Sequence, residues 1–176
     1  MMKRSLSYRR LLPVLLALAV FAFPLKGFAQ PLKPVQVREL AQNLPASRIL
    51  FSETMLSADG TVLGGATGTL DLQYPCFRVT RGALQIFGDG ESVWNYDTAA
   101  GEVMIFGGDL DVLFGGSPIT SDAAQETFTL TLRDGSQIIY KILSVETMQT
   151  PWAETSFQLD VNALGEDVIV TDLRGK

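Results

Sequence analysis

The chain has 176 residues and a formal charge of −5, from 14 basic and 19 acidic side chains, with one cysteine and no histidine. The missing histidine excludes His-based zinc sites and the Ser-His-Asp and Cys-His forms of nucleophilic catalysis. The lone Cys76 excludes an internal disulfide, so the fold rests on its core; beside Phe77 in an apolar stretch, it is expected as a buried, inert thiol.

The charge is unevenly placed. Lys3, Arg4, Arg9 and Arg10 precede the almost purely apolar run Leu11–Phe23, and Pro24, Lys26, Gly27, Phe28 and Ala29 follow it. A positive start, a short apolar stretch and small residues at Gly27 and Ala29 predict a secretory signal peptide over residues 1–29, cleaved after Ala29. The apolar run is shorter than the about 20 residues a spanning helix needs, so no integral membrane segment is expected after cleavage. No cysteine sits at the cleavage point, so acylation of this chain is not suggested. Cleavage removes five basic residues and leaves nine against 19 acidic, a formal −10. Such a charge repels phosphate backbones and anionic headgroups, which sets nucleic acid aside as a partner.

Residues 30–46 read as a leader and a short N-terminal helix. Val35–Asn43 has the helical pattern, and Leu44-Pro45 ends it because proline restricts its predecessor and breaks the hydrogen-bond ladder. Residues 47–176 read as one β domain. Strands are predicted at Ile49–Leu56, Thr61–Gln73, Phe77–Thr80, Ala83–Phe87, Ser92–Tyr96 and Glu102–Phe106, separated by turn signals such as Asp59-Gly60 and Asp89-Gly90. In the fifth, the period of two puts Trp94 and Tyr96 on one face and Val93 and Asn95 on the other. Gly107–Gln125 breaks the pattern: two Gly-Gly pairs bracket the apolar Leu110, Val112, Leu113 and Phe114, a hydrophobe-bearing loop with room for a short helix or strand. Thr127–Arg133 alternates cleanly, with Phe128, Leu130 and Leu132 on one face. Ser136–Val145 is apolar on both faces and so is expected to be covered on both sides. Phe157–Val161 and Val168–Leu173 complete nine to eleven short strands, an antiparallel sheet expected to be curled or closed.

The order of these motifs resembles the periplasmic outer-membrane lipoprotein carrier family, the LolA-like proteins. The resemblance rests on Phe51-Ser52-Glu53; on Gly68–Leu72 followed by Tyr74-Pro75-Cys76-Phe77-Arg78-Val79; on the Asp89-Gly90 turn with Trp94 and Tyr96; and on the closing segments Ser156–Asp160 and Val168–Arg174. It covers roughly residues 51–174 and is weakest over 107–125. The resemblance implies an α+β fold, a strongly curved antiparallel β-sheet forming an incomplete, half-open β-barrel with a short helix and loop lid over its concave face. It also implies a non-enzymatic carrier that takes lipoprotein acyl chains into a hydrophobic cavity and moves them from the inner toward the outer membrane. Its partners would be acylated lipoproteins, an inner-membrane release complex and an outer-membrane acceptor, with the carrier itself a monomer in the periplasm. A sensor or adaptor of the same fold that binds lipoproteins or lipids is the alternative. Tyr74 stands where the better-understood carriers place a basic residue that helps hold the lid.

Burying each acyl methylene contributes roughly 0.8 kcal/mol, so an acyl site needs several large apolar side chains. The candidates are Phe77, Leu84, Ile86, Trp94, Tyr96, Met104, Phe106, Phe128, Leu130 and Tyr140, each of which also reads as ordinary core. Leu110, Leu113 and Phe114 are the lid candidates, and Arg78 the candidate for holding it, by hydrogen bonds to carbonyls or a bidentate pair with a carboxylate. No catalytic residue, metal or cofactor is expected. An enzyme would have to run on carboxylates, and Glu53, Asp71, Asp89, Glu91, Asp97 and Glu102 offer no preferred pair; Asp89 and Asp97 sit where turns use them for backbone hydrogen bonds.

Overall fold

The computed structural model describes residues 41–108, 119–122 and 126–175. Ten strands follow in chain order: β1 Ser47–Leu56, β2 Val62–Gln73, β3 Cys76–Arg81, β4 Leu84–Gly88, β5 Ser92–Asp97, β6 Glu102–Gly107, β7 Ile119–Asp122, β8 Thr127–Thr131, β9 Gln137–Thr147 and β10 Ile169–Asp172. They form one sheet in the order β10-β6-β5-β4-β3-β2-β1-β9-β8-β7. Strands β1 to β6 are a meander, because each link carries its own turn chemistry. Asp89 Oδ1 accepts from the amides of Glu91 and Ser92 at 2.9 and 2.8 Å, and Asp97 Oδ1 from those of Ala99 and Ala100 at 3.0 Å. Gly90 and Gly101 then take the left-handed conformation that side chains resist.

The half-open barrel expected from the resemblance is not what forms. The sheet is open, neither curled nor closed, with β10 and β7 as its two end strands. Closing a barrel requires the last free edges to pair. Here β10 returns to lie parallel to β6, with Ile169 beside Glu102 and Asp172 beside Ile105, and so occupies the edge that closure would need. No long helix lies among the described residues. Ala41 and Gln42 are helical and mark the end of the helix expected over 35–43; the rest of that helix, the signal peptide at 1–29 and the proposed lid lie outside the described residues. Within the loop expected over 107–125, residues 119–122 form β7. The strand expected at Phe157–Val161 is instead two 3₁₀ turns, Glu154–Phe157 and Val161–Ala163. Asp160 accepts from the Asn162 amide there, a local bond that competes with strand pairing.

Register sorts the side chains onto two faces. One, the aliphatic face, carries Ile49 and Phe51 of β1, Leu70 and Leu72 of β2, Phe77 and Val79 of β3, Leu84 and Ile86 of β4, Val93 of β5, Phe128 and Leu130 of β8, and Ile138, Tyr140 and Ile142 of β9. All are buried in one cluster, which Ala41 and Leu44 join. The other, the tryptophan face, buries Phe87, Trp94, Val103 and Ile105 under Leu159, Val161, Leu164 and Val168. Those four residues belong to the segment that runs from β9 to β10, so the crossover covers the tryptophan face.

Two glycines let the aliphatic face pack. Phe51 is the register partner of Gly68, and Phe77 of Gly88. A Cβ at Gly68 would stand 2.6 Å from the Phe51 ring, and one at Gly88 only 2.3 Å from the Phe77 ring. Each ring therefore occupies the place of its neighbour's missing side chain, an aromatic cover over a strand glycine.

Gly88→Ala is expected to destabilise the protein by about 1–3 kcal/mol, the usual cost of overpacking. Gly165→Ala, where an added Cβ meets nothing within 4 Å, should be close to neutral. Urea unfolding midpoints check both; equal midpoints for Gly88→Ala and wild type would mean that the Phe77 ring yields freely.

Candidate functional site

The aliphatic face gathers eight of the ten residues nominated for an acyl site. Phe77, Leu84, Ile86, Phe128, Leu130 and Tyr140 are buried in its cluster. Met104 and Phe106 share its side of β6, as partners of Asn95 and Val93, and are half-buried. Trp94 and Tyr96 point the other way and pack in the tryptophan-face cluster. They cannot contribute to one site with the eight. Alternation had already set them opposite Val93 and Asn95; which side the other strands would join is fixed only by the registers. Leu110, Leu113 and Phe114 lie outside the described residues.

Among the described residues, Glu53, Arg81, Tyr140 and Asn95 are polar side chains that interrupt the aliphatic face. Glu53 shares its side of β1 with Phe51, and its side chain is fully buried. Its partner on β2 is Ala66 and on β9 Tyr140. Arg81, at the end of β3, makes an ion pair with Glu53 through Nη2 and Oε1. It can do so across β2 because Gly68 and Ala66 leave that strand without bulk at the crossing. The Tyr140 hydroxyl also lies against the Glu53 carboxylate, so that Arg81 and Tyr140 hold the acid from two sides, while Arg81 Nε is left without a partner. Asn95, 1% exposed between Val93 and the crossing with Ile86, also leaves both amide atoms unpaired. Each unsatisfied buried group of this kind costs about 1–3 kcal/mol. Sequence reasoning treated Glu53 only as one acid among several and did not pair it with Arg81. The signal was the spacing 49, 51, 53 in β1, which puts a carboxylate in an otherwise apolar row.

The electrostatics follow from that burial. Burial raises the Glu53 carboxyl above its ordinary value, and the opposing Arg81 charge and neighbouring Tyr140 hydroxyl do not fully offset it. Burial, then the Glu53 charge, pushes the Tyr140 hydroxyl well above its ordinary value.

On the opposite face, Asp71 stands between two arginines. Arg48 Nε and Nη2 donate to its two oxygens at 2.6 and 3.0 Å, and Arg78 Nη2 donates at 2.6 Å. Burial works to raise the Asp71 carboxyl, but the hydrogen bonds and charges of both arginines outweigh it and hold the group below its ordinary value. Arg48 also lies over the Trp152 ring at 5.8 Å, and Gln73 exchanges two hydrogen bonds with the Trp152 backbone. Arg78, nominated to hold a lid over the acyl face, thus spends its guanidinium on a carboxylate of the other face. Its register partner on β2 is Asp71 itself. The other carboxylates offer little to a catalytic reading: Asp89 and Asp97 cap the turns described above. Cys76 is buried, its thiol raised chiefly by that burial, with Sγ donating to the Asp89 carbonyl at 3.6 Å.

In comparisons with known proteins, no protein family matches the chain and no curated protein does.

The two carboxylates act on stability in separate pH windows. The raised Glu53 binds its proton more tightly in the folded state, so its contribution favours folding at low pH and is lost as pH rises from about 4.5 through the folded value. The lowered Asp71 contributes above about 3.8 and is lost as pH falls through its folded value. Glu53→Gln is expected to flatten the decline of stability above pH 4.5 and leave the acid limb unchanged, read as unfolding free energy against pH. An unchanged upper limb would show Glu53 to be ordinarily ionised in the folded protein.

Proposed function

We propose that this is an exported, non-enzymatic protein that binds the acyl chains of lipoproteins along the aliphatic face of its sheet and carries them from the inner toward the outer membrane of a Gram-negative type envelope. The observation that carries the reading is the gathering of Phe77, Leu84, Ile86, Phe128, Leu130 and Tyr140, drawn from four strands, into one buried apolar cluster on a single face of the sheet. Such a surface returns roughly 0.8 kcal/mol for each methylene it removes from water. The signal-like first 29 residues support export, and the acidic remainder supports a partner recognised by its chains rather than by phosphate. The motif order from Phe51 to Arg174 supports the lipoprotein as the source of those chains. The partners on this reading are acylated lipoproteins, an inner-membrane complex that releases them and an outer-membrane acceptor. The site lies on an open sheet rather than in a barrel, and Ala41 and Leu44 would share it with the cargo or move aside.

Titration of the purified protein with a fluorescent triacyl lipopeptide, against the deacylated peptide, tests the reading. Saturable binding is expected for the acylated form alone. Ile86→Ala is expected to weaken it by about tenfold, the equivalent of one to two buried methylenes. Trp94→Ala, on the other face, should leave it unchanged. Equal affinity for the deacylated peptide, or none for either in folded protein, refutes acyl binding; transfer of bound cargo to acceptor membranes separates a carrier from a sensor.

A further inference from the structure

We propose that β10 is a self-pairing edge: two copies of this chain join antiparallel along it, related by a two-fold axis at Val170, and merge their sheets into one. The inference stands apart from acyl binding and replaces the monomer that the resemblance implies.

Three observations carry it. The first is the direction of the backbone. The amides of Ile169 and Leu173 donate to the carbonyls of Gly101 and Ile105 at 2.8 Å, on the β6 side. Strand alternation therefore turns the amide and carbonyl of Val170 to the other edge. β10 is an end strand, and among the described residues no strand pairs with that edge. The second is composition. Edge strands are normally blunted by lysine, proline or a bulge. Ile169-Val170-Thr171 carries none of these: it is three β-branched residues in regular register with β6, with Ile169 62% and Val170 43% exposed. The third is charge, and it selects the partner. The acidic Glu166 and Asp167 precede the strand and Arg174 follows it, all three exposed. Parallel pairing of two copies would set like charges together. Antiparallel pairing about Val170 sets Arg174 of each copy against Glu166 of the other. Arg174 can take that second carboxylate, because its Nε and Nη2 serve Asp172 while Nη1 makes only a 3.4 Å contact with Ser92.

In this register Val170 meets its own counterpart and Ile169 meets Thr171. Opposed residues share a face. The two valines therefore close beside Val103 on the tryptophan side, and the aliphatic faces of both copies lie on one side of the joined sheet. The contact is isologous, so it closes at two copies. An edge of four residues buries little surface, which sets the dissociation constant on the order of 10 μM.

Sedimentation velocity of the purified protein over about 1–300 μM, a range that brackets that value, tests the proposal. The wild-type protein is expected to pass reversibly from monomer to dimer. Val170→Pro removes the outward donor and no bond to β6, so it should be monomeric with the urea midpoint of the wild type. Thr171→Pro, whose amide alternation turns toward β6, should lower that midpoint. Ile169→Lys places a charge on the exposed edge and should abolish the dimer without altering any backbone bond. Glu166→Lys should weaken it about fivefold, through two symmetric contacts turned repulsive. A wild-type protein that stays monomeric throughout overturns the proposal. So does a dimer that persists in folded Ile169→Lys, a dimer indifferent to Glu166→Lys, or assembly that grows beyond two copies.

Discussion

The ring of Phe77 fills the space where any side chain at Gly88 would stand, and the ring of Phe51 does the same at Gly68. Much of the aliphatic face depends on these two fits. Each ring belongs to one strand but covers the next, so neighbouring strands are locked in register by side chains as well as by their ladder. A slip by one residue would swing the ring to the other face and bring a side chain into the gap. The glycines that weaken a strand by themselves become, in these pairs, the condition for packing it.

The same bareness in β2 has an electrostatic consequence. Because Gly68 and Ala66 present little or no side chain, an arginine of β3 can reach a glutamate of β1 across the strand between them. The two faces then treat charge in opposite ways. On the tryptophan face, Asp71 is held by two arginines whose side chains are partly in water, and its carboxyl is stabilised in the ionised form. On the aliphatic face, Glu53 has one cation and a deep burial, and its ionised form is disfavoured. An acid with more cations than it needs is a structural clasp. An acid held by one cation and one hydroxyl in an apolar core is a strained one.

The strands were legible because alternation and turn residues are local signals. β5 with its Val93/Trp94 alternation, and the Asp59-Gly60 and Asp89-Gly90 turns, needed nothing beyond their neighbours in sequence. The orientation of Trp94 and Tyr96 away from Val93 was readable too, but the side of the sheet that Phe77 or Tyr140 shares was not, since that is decided by pairing between distant strands. The error about closure came from the same source. Nothing local in Val168–Leu173 says that it will lie parallel to β6, and the antiparallel neighbour suggested by a meander was the wrong one. Phe157–Val161 failed for a different reason: its alternation was genuine, but Asp160 satisfies a backbone amide within its own turn. The ion pair of Glu53 and Arg81 lay hidden because it depends on what β2 lacks rather than on what any strand displays.

The parallel return of β10 also orders events in time. β6 forms its ladder with β5 by a short hairpin, whereas its second neighbour, residues 169–172, follows only after three further strands and the crossover. Until those residues have emerged, β6 presents a bare row of amides and carbonyls, and Phe87, Trp94 and Ile105 lack the cover that Leu159, Val161 and Leu164 provide. A nascent or threaded chain must therefore pass through a stage in which a sticky strand and an apolar surface are exposed together, the combination that invites pairing with another molecule.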